Sequence, residues 1–182
     1  MPILGEEPDI FPATLLVEPS SDPWWVVYTR SRQEKQLMRK LRGVQVGHYC
    51  PLIARRSRSP AGRVRTSYLP LFTNYLFVQA PSELRIKVLE TNCVSRILDV
   101  TDPSLLIHDL QQIHNLILTG AAVSPEDRIE AGTRIRVKSG PFKGYEGYVV
   151  QRHGKTTLIV DVRFMNQGAS VEIEDCQLEP IG

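Results

Sequence analysis

The chain has 182 residues, 42% of them apolar and 23% charged, with a net charge of +2. That length holds one large domain or two small ones, and the composition excludes a mostly disordered chain, a collagen-like repeat and a disulfide-stapled miniprotein. No stretch reaches the ~18 apolar residues of a membrane helix, and no charged n-region precedes Ile3-Leu4 as a secretory leader requires. Cys50, Cys93 and Cys176 lack C-x-x-C spacing and read as reduced thiols of a cytoplasmic protein.

Residues 1–22 hold four prolines, five acids and no base. With no sustained period they read as a mobile acidic arm. Trp24-Trp25-Val26-Val27-Tyr28-Thr29, aromatic and β-branched, predicts a buried strand. Ser31-Arg32-Gln33-Glu34 fits a capping box, with Glu34 reaching back to the first turn. Leu37, Met38 and Leu41 repeat at helical spacing and Gly43 suits the end, which predicts a helix over about 32–42. His48 to Ile53 reads as a second strand. The polar stretch Arg55 to Arg63, with Pro60 and Gly62 as turn residues, reads as the tip of a long hairpin.

Leu69 to Val78 is the most apolar stretch of the chain. A short helix is expected at 82–91 with Leu84, Val88 and Leu89 inward, then a strand at Val94–Val100. Leu106, Leu110, Ile113 and Ile117 form a helical stripe that Gly120 stops. This order describes an α+β sandwich, an antiparallel sheet with helices packed on it. The predicted organisation is therefore an arm at 1–22, a sandwich domain at 23–119 and a linker at 120–130, where small and polar residues dominate. From 131 to 182 the period changes to two, with turns at Ser139-Gly140-Pro141, His153-Gly154 and Asn166-Gln167-Gly168, which predicts a small all-β barrel.

Charge is lopsided. Residues 30–65 hold eleven bases and one acid, Glu34. Such a run is either a surface facing nucleic acid or another polyanion, or a solvated helix face followed by a solvated loop. The acidic arm has the opposite sign and suits a role in shielding that basic face. Catalytic patterns are absent: the four histidines are dispersed, with no ligand-spaced partner, no phosphate-cradling loop and no nucleophile elbow. The expectation is a protein that is not an enzyme and needs neither metal nor cofactor.

Two stretches together carry a family resemblance. Trp24 to Thr29, the capped basic helix and Leu71-Phe72-Thr73-Asn74-Tyr75-Leu76-Phe77-Val78 resemble the N-terminal domain of NusG-type transcription elongation factors. The second stretch is most similar to the specialised, RfaH-like branch. Gly132 to Gly147, containing Gly140, Phe142, Gly144 and Gly147, is similar to a KOW motif. The resemblance implies a factor that docks on the clamp of bacterial RNA polymerase and suppresses pausing and termination on selected operons. It assigns polymerase contact to Tyr28, Phe72, Asn74, Tyr75 and Phe77. A strand has two faces, so about half of 71–78 is expected to face the core instead, with Tyr75 and Phe72 the exposed anchors. Arg30, Arg32 and Arg39 of the helix face and Arg55, Arg56, Arg58 and Arg63 of the hairpin would lie near upstream or non-template DNA, acting through phosphate charge. The barrel would contact a small-subunit ribosomal protein or the termination factor Rho. The chain would work as a monomer, without a membrane.

Thr73 stands where the family has a proline, and Asn92-Cys93-Val94 where it has a glycine before the valine. Phe164-Met165-Asn166-Gln167-Gly168 lacks the arginine of the Phe-Gly-Arg tip of the housekeeping factor, which weakens Rho recruitment. The alternatives are the general housekeeping factor and a KOW-type ribosome- or RNA-binding protein. Seven bases against six acids in 131–182 is a weak balance for RNA.

Overall fold

The computed structural model describes residues 6–130 and 132–182. They form two compact units that divide between Pro103 and Ser104. The divide thus falls ahead of the third helix, where a boundary after residue 119 was expected.

In the N-terminal unit, β1 (Ile10–Phe11), β2 (Trp24–Thr29) and β3 (Gly47–Tyr49) join two later strands, β6 (Tyr75–Gln79) and β7 (Val94–Asp99). The sheet order is β1-β3-β6-β2-β7, antiparallel throughout. Between β3 and β6, β4 (Leu52–Arg58) and β5 (Val64–Pro70) make a separate two-stranded hairpin. Alternation along β2 sends Trp25 and Val27 to one face of the sheet. There they join Leu37, Met38 and Leu41 of α1 (Glu34–Gly43), Leu76 and Val78 of β6, and Val88 of α2 (Arg85–Glu90). Each such leucine or valine removed from water contributes roughly 1.5–3 kcal/mol, and this apolar stripe fixes α1 where its amphipathic spacing predicted it. The helix expected at 82–91 is a single 3-10 turn, Ser82–Leu84, followed by α2. Only one face of so short a helix can be covered, so Val88 is buried and Leu89 is exposed.

Of the predicted arm, residues 1–5 lie outside the described residues, and the rest is not a free arm. Ile10 and Phe11 pair with Tyr49 and His48 as the edge strand β1, and the Cys50 amide donates to the Asp9 carbonyl at 2.8 Å. Leu15 and Leu16 are buried. Glu7 accepts two hydrogen bonds from Arg39, at 3.1 and 3.0 Å, and lies 3.6 Å from the Lys35 ammonium. Two apolar pairs set among prolines and acids are enough to tie this strap down. Glu7 of the strap thus meets two bases of α1, Arg39 and Lys35.

Under the strap, His48 is fully buried and stacked on Phe11. Its Nδ1–H donates to the Val46 carbonyl at 2.8 Å, while Nε2 has no partner among the described residues. Burial pushes the imidazole below its ordinary value of 6.5, the Arg42 charge adds to this, and the Val46 hydrogen bond opposes it. A histidine buried neutral stabilises the fold fully above the unfolded value and ceases to do so as pH falls through the lower folded value. Stability of the N-terminal unit is therefore expected to fall below about pH 6.5. Urea unfolding from pH 7.5 to 5 checks this, and His48→Gln should flatten the dependence.

The C-terminal unit holds α3 (Pro103–Leu118) and six strands: β8 (Ser124–Glu126), β9 (Ile135–Val137), β10 (Glu146–Arg152), β11 (Lys155–Val162), β12 (Gln167–Ile173) and β13 (Leu178–Pro180). The strands form one antiparallel sheet ordered β13-β9-β10-β11-β12-β8. The expected linker is part of it. Ser124 pairs with Ser170, Ile129 is buried, and the Asn166 amide donates to the Ile129 carbonyl at 3.2 Å. On α3 the stripe is Leu106, Leu110, Ile113 and Leu116; Leu116 replaces the expected Ile117 as its last fully buried member.

Polar side chains join α3 to the strands. Asp109, 1% exposed, accepts from the Arg163 backbone amide at 3.0 Å and from its guanidinium at 2.7 Å. Gln112 Oε1 accepts from the Glu146 amide at 2.7 Å. Within the sheet, Arg134 makes bonds of 2.8 and 2.9 Å to the two oxygens of the buried Asp161. Burial still raises the Asp161 carboxyl, because desolvation outweighs the Arg134 charge and hydrogen bonds. No helix among the described residues is long and apolar enough to cross a membrane.

Candidate functional site

The best-defined surface lies across one end of the N-terminal sheet. Tyr28 of β2 is registered against Tyr75 of β6 on one side and Arg96 of β7 on the other. Directly opposed residues on neighbouring strands point to the same face, so the three side chains form a row. The two tyrosine rings meet edge to face, with centroids 5.1 Å apart and an interplanar angle of 73°. The Arg96 guanidinium carbon lies 5.2 Å from the Tyr28 ring centroid, a cation–π contact. Both tyrosines are half-buried and Arg96 is exposed.

The turn ahead of Tyr75 is held from α1. Asn74 has a left-handed backbone with φ 66°, a conformation asparagine tolerates better than most residues. Its amide donates to Glu34 Oε1 at 2.7 Å, and its carbonyl accepts from the Thr29 amide at 2.8 Å. Glu34 therefore does not close the predicted capping box, and α1 begins with no side-chain cap. Its buried carboxylate instead fixes a turn forty residues away in sequence.

The other proposed anchors are core residues. Phe72 is 2% exposed and Phe77 fully buried, and their rings meet edge to face at 6.1 Å. The expectation that Phe72 is an exposed anchor is corrected: it supports the turn from beneath, leaving Tyr28, Asn74 and Tyr75 as the accessible members.

The basic residues fall into two groups. Arg30 and Arg32 are exposed just beyond β2, whereas Arg39 is occupied by Glu7. The hairpin register pairs Arg55 with Ser67, Arg56 with Thr66, Ser57 with Arg65 and Arg58 with Val64. The turn continues it, with the Ser59 amide donating to the Arg63 carbonyl at 2.9 Å. Alternation then places Arg55, Arg63 and Arg65 with Ser57, Ser59 and Ser67 on one face, and Arg56 and Arg58 on the other. All five arginines are exposed. Among the described residues no carboxylate pairs with them, so their charge is presented outward.

In the C-terminal unit the four glycine-motif positions serve different needs. Gly140 and Gly144 have φ 84° and 94° in the turn before β10, where the Gly144 amide donates to the Val137 carbonyl at 2.8 Å. Phe142 packs edge-on against Tyr145 at 6.1 Å. Gly147 is left without a side chain by close approach: an added Cβ would lie 1.9 Å from the Ile159 carbonyl oxygen. Among the described residues no group of three or more His, Cys, Asp or Glu could hold a metal ion.

A family profile described as "Transcription termination factor nusG" matches residues 22–116, more than half of the chain. The chain belongs to the NusG family. No curated protein matches it. Among solved structures it is similar to "Crystal Structure of MjSpt4:Spt5 complex conformation B", at 16% identity and a TM-score of 0.27, covering 87% of this chain and 97% of that one. The NusG match begins beside β2 and ends within α3, so it includes the Tyr28–Tyr75–Arg96 row, the Glu34 tie and the arginine hairpin. The strap, the arginine-free tip at 164–168 and the whole C-terminal sheet lie outside it.

Sequence reasoning missed two members of this surface. Arg96 is an isolated cation in a strand and gives no local signal. Glu34 was singled out, but for a partner in its own helix turn. The register of β2 against β7 places Arg96 at the site, and the hydrogen bond from the Asn74 amide places Glu34 there.

Proposed function

We propose that this NusG-family chain is a transcription elongation factor that binds RNA polymerase through Tyr28, Asn74 and Tyr75, with Phe72 and Phe77 packed beneath them. The half-exposed tyrosine pair, held in a defined turn inside the family match, is the observation that carries the reading. Aromatic side chains that are rigid and partly desolvated before binding lose little entropy on docking, which is what an interface anchor needs.

The exposed arginines of the hairpin, with Arg30 and Arg32, then meet upstream or non-template DNA through phosphate charge, at a strength that falls with salt. With both contacts made, the factor suppresses pausing and termination in the cytoplasm, on selected operons, as an RfaH-like member of the family. The altered tip at 164–168 supports the specialised role over Rho recruitment. Binding of Rho by the full chain would instead favour the general housekeeping factor. The C-terminal sheet acts as the KOW module, for which a small-subunit ribosomal protein is the candidate partner.

Single-round transcription by purified bacterial RNA polymerase on a template with a strong pause tests the reading. The wild-type chain is expected to shorten the pause. Tyr75→Ala should weaken polymerase binding by about tenfold or more, the usual cost of truncating an aromatic anchor. Wild-type protein that neither binds polymerase nor alters the pause at saturation would overturn the proposal.

A further inference from the structure

Among the described residues no carboxylate answers the charge of Arg96. Asp99, three residues on along the same strand, is taken by Arg85 at 2.6 Å, and Glu34, the buried acid near the Asn74 turn, is engaged by the Asn74 amide. Among the described residues Arg96 makes no ion pair, and its guanidinium lies over the Tyr28 ring. The ring restricts the guanidinium and shields one side of it from water. A guanidinium carries five N–H donors in a rigid fork. Those not facing the ring remain directed outward, beside the two tyrosines.

We infer that Arg96 is a specificity-determining residue of this surface, and that its ligand is a carboxylate set beside an apolar side chain on the partner polypeptide. The apolar group packs against Tyr28 and Tyr75 while the carboxylate takes the Arg96 fork. The inference rests on the docking reading above and adds the chemistry of the partner's matching patch. Charge complementarity selects a carboxylate, and bidentate geometry makes an Arg–carboxylate pair directional. Partial shielding by Tyr28 makes the pair stronger than one on an open surface.

A nucleic-acid phosphate is the poorer match. The hairpin offers five exposed arginines interleaved with hydroxyls, the arrangement for a phosphate backbone. Arg96 is a single cation at the end of the row, with the Tyr28 ring beside it. Arginine and tyrosine side by side are the residues enriched at the centres of protein–protein interfaces.

The test measures affinity of full-length protein for bacterial RNA polymerase across a range of salt concentrations, and for a DNA duplex separately. The variants are Arg96→Gln, Arg96→Lys and Tyr75→Ala, with thermal melts confirming that each is folded. Arg96→Gln is expected to weaken polymerase binding about tenfold and to flatten its salt dependence. Arg96→Lys should recover only part of the loss, because it keeps the charge and not the fork. DNA affinity should be unchanged in both.

If Arg96→Gln leaves polymerase affinity intact while Tyr75→Ala reduces it, the carboxylate inference is overturned and docking stands. If neither variant changes polymerase affinity, the docking reading fails and this inference with it. A loss confined to DNA binding would make Arg96 a phosphate contact and overturn the inference.

Discussion

Gly147→Ala is expected to unfold the C-terminal sheet. The new methyl carbon would lie 1.9 Å from the Ile159 oxygen and 2.9 Å from its carbonyl carbon. Both atoms are backbone, so no rotamer change relieves the clash. Gly147 lies on β10 opposite Ile135 of β9, and the next residue, Tyr148, is paired with Ile159 of β11. Moving β11 away would part a ladder that continues from Tyr148 to Arg152. Overpacking that adjustable side chains can absorb costs roughly 1–3 kcal/mol. A clash with fixed backbone belongs at or above that range, against a total stability of about 5–15 kcal/mol for a domain. Amide resonances from residues 104–182 should collapse to the unfolded range. Gly43→Ala, at the end of α1 with nothing within 4 Å of the added methyl, should leave the spectrum unchanged.

The second large effect concerns Asp109. Asp109→Ala removes the acceptor for the Arg163 guanidinium and for its backbone amide at 3.0 Å. Removing one partner of a fully buried pair costs about 3–5 kcal/mol. The Arg163 side chain is 33% exposed and can recover some hydration, so a loss of about 2–3 kcal/mol is expected here. Chemical denaturation of the full chain, followed by a probe in the C-terminal unit, measures it. Asp109→Asn should lose less, because its amide oxygen still accepts from the Arg163 backbone N–H. In a double-mutant cycle with Arg163→Ala, the two losses should fall well short of additive.

These two residues also separate what a linear pattern can show from what it cannot. Gly147 was legible as one member of a glycine motif, but its reason was not: Gly140 and Gly144 supply turn conformations, while Gly147 admits a neighbouring strand's carbonyl. Strand β2, helix α1 and the hairpin were readable because alternation, helical spacing and turn residues are local signals. The strap was misread because prolines and acids dominate any window across it. Its information sits in Ile10-Phe11 and Leu15-Leu16, too short to set a period. The stretch at 120–130 was misread for the same reason, as three residues of edge strand and one buried isoleucine look like linker. At the site, Tyr28, Asn74 and Tyr75 were visible through resemblance, whereas Phe72 changed from anchor to core and Arg96 appeared only with the sheet register. Glu34 shows the limit most plainly. A capping box and a tether to Asn74 call for the same residue at the same place, and tertiary structure alone distinguishes them.

The strap has a consequence for handling the protein. A fragment trimmed to the family match at residue 22 would lose β1, and β3 would then end the sheet with its outer amides and carbonyls bare. An uncovered strand edge is a template for other chains. The same cut would uncover His48 from Phe11 and release Arg39 from Glu7. Such a fragment would be stickier toward itself and more basic on its helix face, so self-association and non-specific nucleic-acid retention during purification would be properties of the cut.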